Sequence, residues 1–309
     1  YLVRRVLQAM RAIFRRTTHS RLCREYKGLG MKIALTIEGG GVRVLAALSA
    51  LHTMERNGYH PGAFAGTSAG GLMAALLAYG YETRDCFRLS RRVLCRKMLD
   101  VRPWAWVRGG FCAGGYLERT VDDILESAQF RDMKHPLKIV ASNMTDGIPE
   151  VFSQETTPKM PVSKAVRLSS SIPLVYQWGT WKGKLYWDGG LCANMPWGVW
   201  RDTGLRTIGI LLRGDGDEPC RPWELRLVAP AVIKFAMQAS ERQHIEAEDW
   251  KNIVVVDTQE VTAKDFGLGA SGLMMLIEKG IAGAAKFLEE KEGIAPEEMA
   301  SVDPLELLD

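Results

Sequence analysis

Three observations make this chain an α/β protein built on one mostly parallel sheet. Apolar segments of strand length alternate with segments of helical period from residue 31 to about residue 290. The first strand runs into three consecutive glycines that lead directly into a helix. Hydrophobic residues make up 47% of the 309 positions, enough to fill a substantial core.

The elements follow in order. Residues 1–20, YLVRRVLQAMRAIFRRTTHS, read as a basic amphipathic helix. Leu2, Val3, Val6, Leu7, Met10, Ile13 and Phe14 fall within an arc of roughly 140°, opposite Arg4, Arg5, Arg11, Arg15 and Arg16. Such a helix suits the interface of an anionic membrane, which makes a cytoplasmic protein held peripherally through residues 1–16 the expectation. A targeting leader, a packing helix, or translated sequence ahead of a start at Met31 stay open beside it.

From Met31, KIALTIE forms a buried strand and VRVLAALSALHTMERNG (42–58) a helix ended by Gly58. GAFAG (62–66) is a short strand, AGGLMAALLAYG (69–80) a second helix, and 82–99 a third. An aromatic, glycine-rich loop, RPWAWVRGGFCAGG (102–115), precedes a helix over 116–127 and the strand LKIVASN (137–143). A helix near 161–169, a strand near KLYWDGG (184–190) and the strand TIGILLR (207–213) come next. A long helix over 228–250, the strand NIVVVDT (252–258) and a last helix over 271–290 complete the body. The chain thus divides into an extension (1–30), one domain (31–292) and a tail (293–309).

Composition excludes several classes. The formal charge is +4, yet residues 1–30 hold eight basic side chains against Glu25 alone, which leaves the body at −3. The body is not a nucleic-acid binder. Six cysteines (Cys23, Cys86, Cys95, Cys112, Cys192, Cys220) are scattered with no CxxC pair and no histidine at zinc-ligand spacing, which fits reduced thiols and no metal. No apolar run approaches the ~20 residues that cross a bilayer.

The glycines at 39–41 carry the first functional signal. Ligands of such sheets sit at the carboxyl ends of strands, where a glycine turn lets bare backbone and a helix N-terminus face an anion. A dinucleotide fits poorly, because Val44 occupies the third glycine position of GxGxxG and no acid ends the second strand. A P-loop fails for want of Gly-Lys-Ser/Thr. A transient oxyanion remains, and it requires a nucleophile. GTSAG at 66–70 matches GxSxG between a strand and a helix, placing Ser68 on a sharp turn with Gly66 and Gly70 beside it and the Ala69 amide available to an oxyanion.

A serine needs a base. Of the five histidines only His244 follows the plausible acids, and it points away from the Val228, Val232, Phe235 and Ala239 stripe, as a solvated helix histidine would. In LYWDGGLCANMP a strand runs into Asp188, Gly189 and Gly190, presenting a carboxylate over a tight turn; an ordinary polar turn is the alternative.

Together these pieces resemble the patatin-like phospholipases, through GGGVR (39–43), GTSAG (66–70) and DGG (188–190), supported by LSSSIP (168–173), ANMP (193–196) and DFG (265–267). Val44 departs from the glycine usual after the arginine. The resemblance implies a three-layer α/β/α fold with a central, mostly parallel sheet, and a lipid acyl hydrolase of phospholipase A type. In that reading Ser68 is the nucleophile and Asp188 the base, while Gly39, Gly40 and Gly41, with Arg43, form the oxyanion hole. No cofactor or metal is implied, and the partners are a phospholipid or other lipid ester and a membrane surface. A small-ester esterase using His244 and a non-catalytic binding scaffold are the rivals. VRPWAWVRGGF (101–111) suits an interfacial flap, with Trp104, Trp106 and Phe111 between Arg102 and Arg108, or else ordinary core.

Overall fold

The structure, a computed structural model, describes residues 31–102, 104–214, 232, 233, 235–237, 240, 245, 247–258, 261, 263 and 265–308. The expected helix over 1–16 and His244 lie outside the described residues.

β1 (Met31–Ile37) passes through the glycine turn into α1 (Val44–Arg56), and β2 (Tyr59–Thr67) into α2 (Ala69–Tyr79). After α3 (Thr83–Val93) and α4 (Gly115–Ile124) the chain forms β4 (Leu137–Asn143), which completes the crossover from β2. Between those helices lies the short strand β3 (Gly110–Cys112), which pairs in parallel with β6 (Leu174–Tyr176) as a separate two-stranded ribbon. β5 (Ile148–Ser153), α5 (Val162–Ser169), β7 (Gly179–Trp181), β8 (Lys184–Trp187) and α6 (Gly190–Ala193) follow. β9 (Arg206–Arg213), β10 (Ile253–Asp257) and α7 (Ala270–Glu292) end the sheet and its cover.

The main sheet runs β10-β9-β1-β2-β4-β8-β7, with β5 also on β4. Its first five strands are parallel, and β5, β8 and β7 are added antiparallel. One face carries the large core. There Ile33, Leu35, Ile37, Phe64, Ile139 and Ile210 meet the buried sides of α1, α2, α5 and α7. Alternate residues point the other way, as the pleat requires. On that face Ala34, Ala63 and Ala65 leave room for the indole of Trp200, and Met195 and Trp197 pack on Leu211 and Ile253. Among the described residues the second cover is therefore built around the 3₁₀ helix Trp197–Thr203. Lys138 closes its edge, its Nζ 4.4 Å from the Trp200 ring centre and donating to the Val199 carbonyl at 2.7 Å.

Several expectations shift. The helix expected over 82–99 ends at Val93 and resumes as a 3₁₀ turn at Arg96–Met98, because the chain turns to bury both Leu94 and Met98. The 102–115 loop contains β3 and a 3₁₀ turn at Ala105–Arg108. Of the stripe expected to be buried in a helix over 228–250, Val232 and Phe235 are exposed, while Met237 and Ser240 turn toward the Gly190 turn. The tail after Gly293 packs back on the body: Leu307 is buried, the Ala300 amide donates to Asn57 Oδ1 at 2.9 Å, and Glu306 pairs with Arg84 at 2.8 Å.

Candidate active site

Three strand ends converge on one point. β1 and β2 are parallel neighbours, so the turn after Ile37 and the turn after Thr67 lie side by side at the carboxyl edge. β5 fills one edge of β4 along 138–143, so β2 and β8 share the other: β2 pairs Thr67 with Val140, and β8 pairs Trp187 with Ser142. One residue further along each chain, Ser68 and Asp188 both come level with Ala141. They meet at the same rung and on the same edge of β4, with no strand between them. The turn at 188–190 packs directly on the end of β2. Gly189 lies on the Val140 carbonyl, and a Cβ there would also stand 2.8 Å from the Thr67 methyl, so only a bare backbone can approach this closely.

Ser68 is the single residue between β2 and α2, held at φ 53° and ψ −126°. A side chain in this region is strained by an order of 1–3 kcal/mol, sustained here by its surroundings. Its amide donates to Ser169 Oγ at 2.8 Å, and that hydroxyl donates to the Val140 carbonyl at 2.6 Å. Gly70, two residues on, rests directly on the Ile37 and Glu38 carbonyls, with Gly66 against Gly70 in turn. Any Cβ at 70 would drive α2 away from the end of β1.

Asp188 is completely buried. Its amide donates to the Ser171 carbonyl at 3.0 Å and its carbonyl accepts from Ser142 Oγ at 2.7 Å, which fixes the backbone. Of its carboxyl oxygens, Oδ1 accepts from the Gly190 amide at 2.8 Å, whereas Oδ2 is buried without a hydrogen bond. Burial pushes its pKa from 3.8 up to about 7, against the lowering pull of the Gly190 amide and of the neighbouring Ser68 hydroxyl. The hydroxyl is thus within electrostatic reach of the carboxyl but not aligned on Oδ2, a common state of such pairs without substrate.

The glycine turn is braced from below. Glu38, itself buried, accepts from Asn194 Nδ2 at 2.5 Å and from the Leu212 amide at 2.6 Å. A Cβ on Gly39 would stand 3.2 Å from Ser68 Cβ, so this loop is the wall of the serine's pocket. Among the amides expected to face an oxyanion, that of Gly39 is already committed to the Asn194 carbonyl at 3.2 Å. Those of Gly40, Gly41 and Ala69 donate to no acceptor among the described residues. Arg43 turns toward Gly214 and its Nε donates to the Gly40 carbonyl at 3.4 Å, holding the loop from behind. Ser169, Ser171 and the Glu38–Asn194 pair were not assigned roles from sequence. The signal available was a run of hydroxyls in LSSSIP at the buried end of α5, where nothing but hydrogen bonding justifies polar residues.

Among the described residues no group of His, Cys, Asp and Glu is arranged to hold a metal ion, and no helix is long and apolar enough to cross a membrane. The arrangement brings together a hydroxyl, a carboxyl kept basic by burial, and free amides: the parts needed for acyl transfer.

Residues 35–199 match the family described as patatin-like phospholipase, more than half of the chain. The chain is 29% identical over 293 residues to the Bacillus subtilis protein YqhO, covering 84% of this chain and 99% of that one. It is 27% identical over 204 residues to the cGAMP-activated phospholipase of Vibrio cholerae, covering 56% and 58%. Among solved structures, VipD from Legionella pneumophila superposes with a TM-score of 0.55 at 17% identity, covering 85% of this chain and 67% of that one.

Proposed function

The chain belongs to the patatin-like phospholipase family, a membership that supports lipid hydrolase activity, and from that premise we propose that it cleaves fatty-acyl esters of phospholipids through a Ser68–Asp188 dyad. The observation that carries this reading is the unpartnered, buried Asp188 Oδ2 beside the Ser68 hydroxyl. A buried carboxyl oxygen without a partner is expensive, and a proton from Ser68 would satisfy it.

In the first half-reaction Asp188 takes the hydroxyl proton as Ser68 Oγ bonds to the ester carbonyl carbon. The carbonyl oxygen becomes an oxyanion bound by the Gly40, Gly41 and Ala69 amides; Gly39, its amide occupied, positions the loop, as does Arg43. The tetrahedral adduct then expels the lyso-lipid alkoxide, which recovers the proton from Asp188. In the second half-reaction water gives a proton to the same carboxylate and attacks the acyl-serine. A second tetrahedral adduct collapses to the fatty acid, and Ser68 regains its proton. Chemistry of this kind rests on fixed dipoles: losing one oxyanion donor typically lowers turnover by about 100 to 1,000-fold. The reading includes a cytoplasmic enzyme that meets its substrate at a membrane surface, with the basic amphipathic pattern of residues 1–16 in support.

The test is mass spectrometry of a mixed phospholipid extract incubated with the protein. Free fatty acids and lyso-phospholipids are expected from the wild type and absent with Ser68→Ala. Equal product from the Ser68→Ala protein would end the assignment.

A further inference from the structure

Residues 101–112 form an arm whose base is closed by a bridge between Val101 and Cys112 and by the Arg102 amide donating to the Phe111 carbonyl at 2.9 Å. Four of its apolar side chains are turned outward. Val101, Trp104, Val107 and Phe111 are 64%, 69%, 64% and 60% exposed, four large apolar groups within eleven residues. An isolated exposed apolar residue needs no explanation, but a cluster on one protruding arm does.

Two further observations say what covers it. The surrounding stretch is strongly basic: between residues 91 and 115 there are six basic side chains (Arg91, Arg92, Arg96, Lys97, Arg102, Arg108), all exposed, and one acid. That acid, Asp100, points inward to the Gly114 and Tyr116 amides at 2.6 and 3.1 Å. Apolar groups with an indole among them, with Arg102 and Arg108 in the same arm and four more exposed cations in the stretch before it, match the boundary between acyl chains and anionic headgroups. The second observation is the arm's attachment. Leu174, Gln177 and Trp178 donate their amides to Gly109, Cys112 and Arg108 at 2.8, 3.0 and 3.1 Å. The buried Arg167 bonds both the Ala113 carbonyl (2.8 Å) and Ser171 Oγ (2.5 Å), and the Ser171 carbonyl receives the Asp188 amide. The arm also lines a cleft of about 520 Å³, whose walls include Trp104, Val107, Ala113 and Gln177.

We infer that this arm is the membrane-docking surface of the enzyme, inserting Trp104, Val107 and Phe111 into an anionic phospholipid leaflet and so holding the site over its substrate. The inference rests on the lipid-hydrolase reading for its purpose, but its physical content is separate from catalysis. Docking here is fixed by the arm's own side chains and by its hydrogen bonds to Leu174, Gln177 and Trp178.

The test uses the full chain and vesicles of phosphatidylcholine and phosphatidylglycerol with brominated acyl chains, which quench only tryptophans that enter the leaflet. The wild type should be quenched more than Trp104→Phe, the difference isolating Trp104. Trp104→Asp combined with Phe111→Asp should weaken vesicle binding by about tenfold or more and leave hydrolysis of a short soluble ester unchanged. No Trp104 quenching, or equal vesicle binding by the double variant, overturns the inference. So does sedimentation showing a wild-type dimer that the double variant breaks while vesicle binding persists, since the patch would then face a second copy. Failure of the wild type to hydrolyse any ester refutes the functional reading alone and leaves the quenching result standing.

Discussion

Replacing Asp188 by asparagine should abolish turnover and at the same time make the protein more stable. The side chain is nearly isosteric, keeps an acceptor for the Gly190 amide, and offers a donor to the Ser68 hydroxyl where Oδ2 now has none. What it removes is a buried charge. The folded pKa of about 7 against 3.8 corresponds to roughly 4 kcal/mol of disfavoured ionisation, at about 1.4 kcal/mol per unit. The sign follows from the raised value: the penalty is absent below about pH 4, where both folded and unfolded carboxyls are protonated. It grows as the unfolded carboxyl ionises and is complete once pH passes the folded value near 7. At pH 8 the variant therefore escapes the whole of it, and at pH 5 less than half. An unfolding entropy of about 2.1 cal/mol/K per residue makes 1 kcal/mol worth about 1.5 °C in a chain of this length. Calorimetry should then show Asp188→Asn melting about 6 °C above wild type at pH 8 and about 2 to 3 °C above it at pH 5. A variant that melts lower than wild type at pH 8, or by the same difference at both pH values, would refute the picture of an ionised carboxylate held in an apolar pocket. Retained turnover would refute its role as base.

The same carboxyl sets the pH dependence of catalysis: kcat/KM for a soluble ester should rise with pH to a plateau, with an apparent pKa near 7 and a fall of about tenfold per unit below it. Ser68→Gly should lose all labelling by a fluorophosphonate probe yet raise stability by about 1 kcal/mol in denaturant titration, because glycine adopts the φ of 53° without strain. Asn194→Ala leaves a buried Glu38 oxygen without its donor, and should lower stability by about 1 to 3 kcal/mol. If Asn194 only braces the glycine turn, kcat falls while the pKa read from the pH profile stays near 7; a displaced pKa would place Asn194 in direct contact with the acid.

Much of this was legible locally. A glycine turn between a strand and a helix, and a serine alone between another strand and helix, are consequences of consecutive residues: no other composition lets a chain reverse so tightly at a strand end. The β4–β5 hairpin was legible too, through Asp146-Gly147 between two runs of strand-forming residues, although no strand was read there. β6 and β7 were not, since three residues are too few to show a period. Nor was the outward turn of Val232 and Phe235. Periodicity says that one side of a helix is apolar, not what lies against it.

Sequence alone determined which residues are chemically equipped and that each sits at a strand end. Only the tertiary structure decided that β2 and β8 meet on the same edge of β4, so that residues 68 and 188 come level with one rung, and that Gly39 gives its amide to Asn194 while Gly40 and Gly41 keep theirs. The acidity of Asp188 belongs to the same category. It is set by the exclusion of water by side chains drawn from the whole length of the chain, and desolvation depends on everything that surrounds a group rather than on its neighbours in sequence.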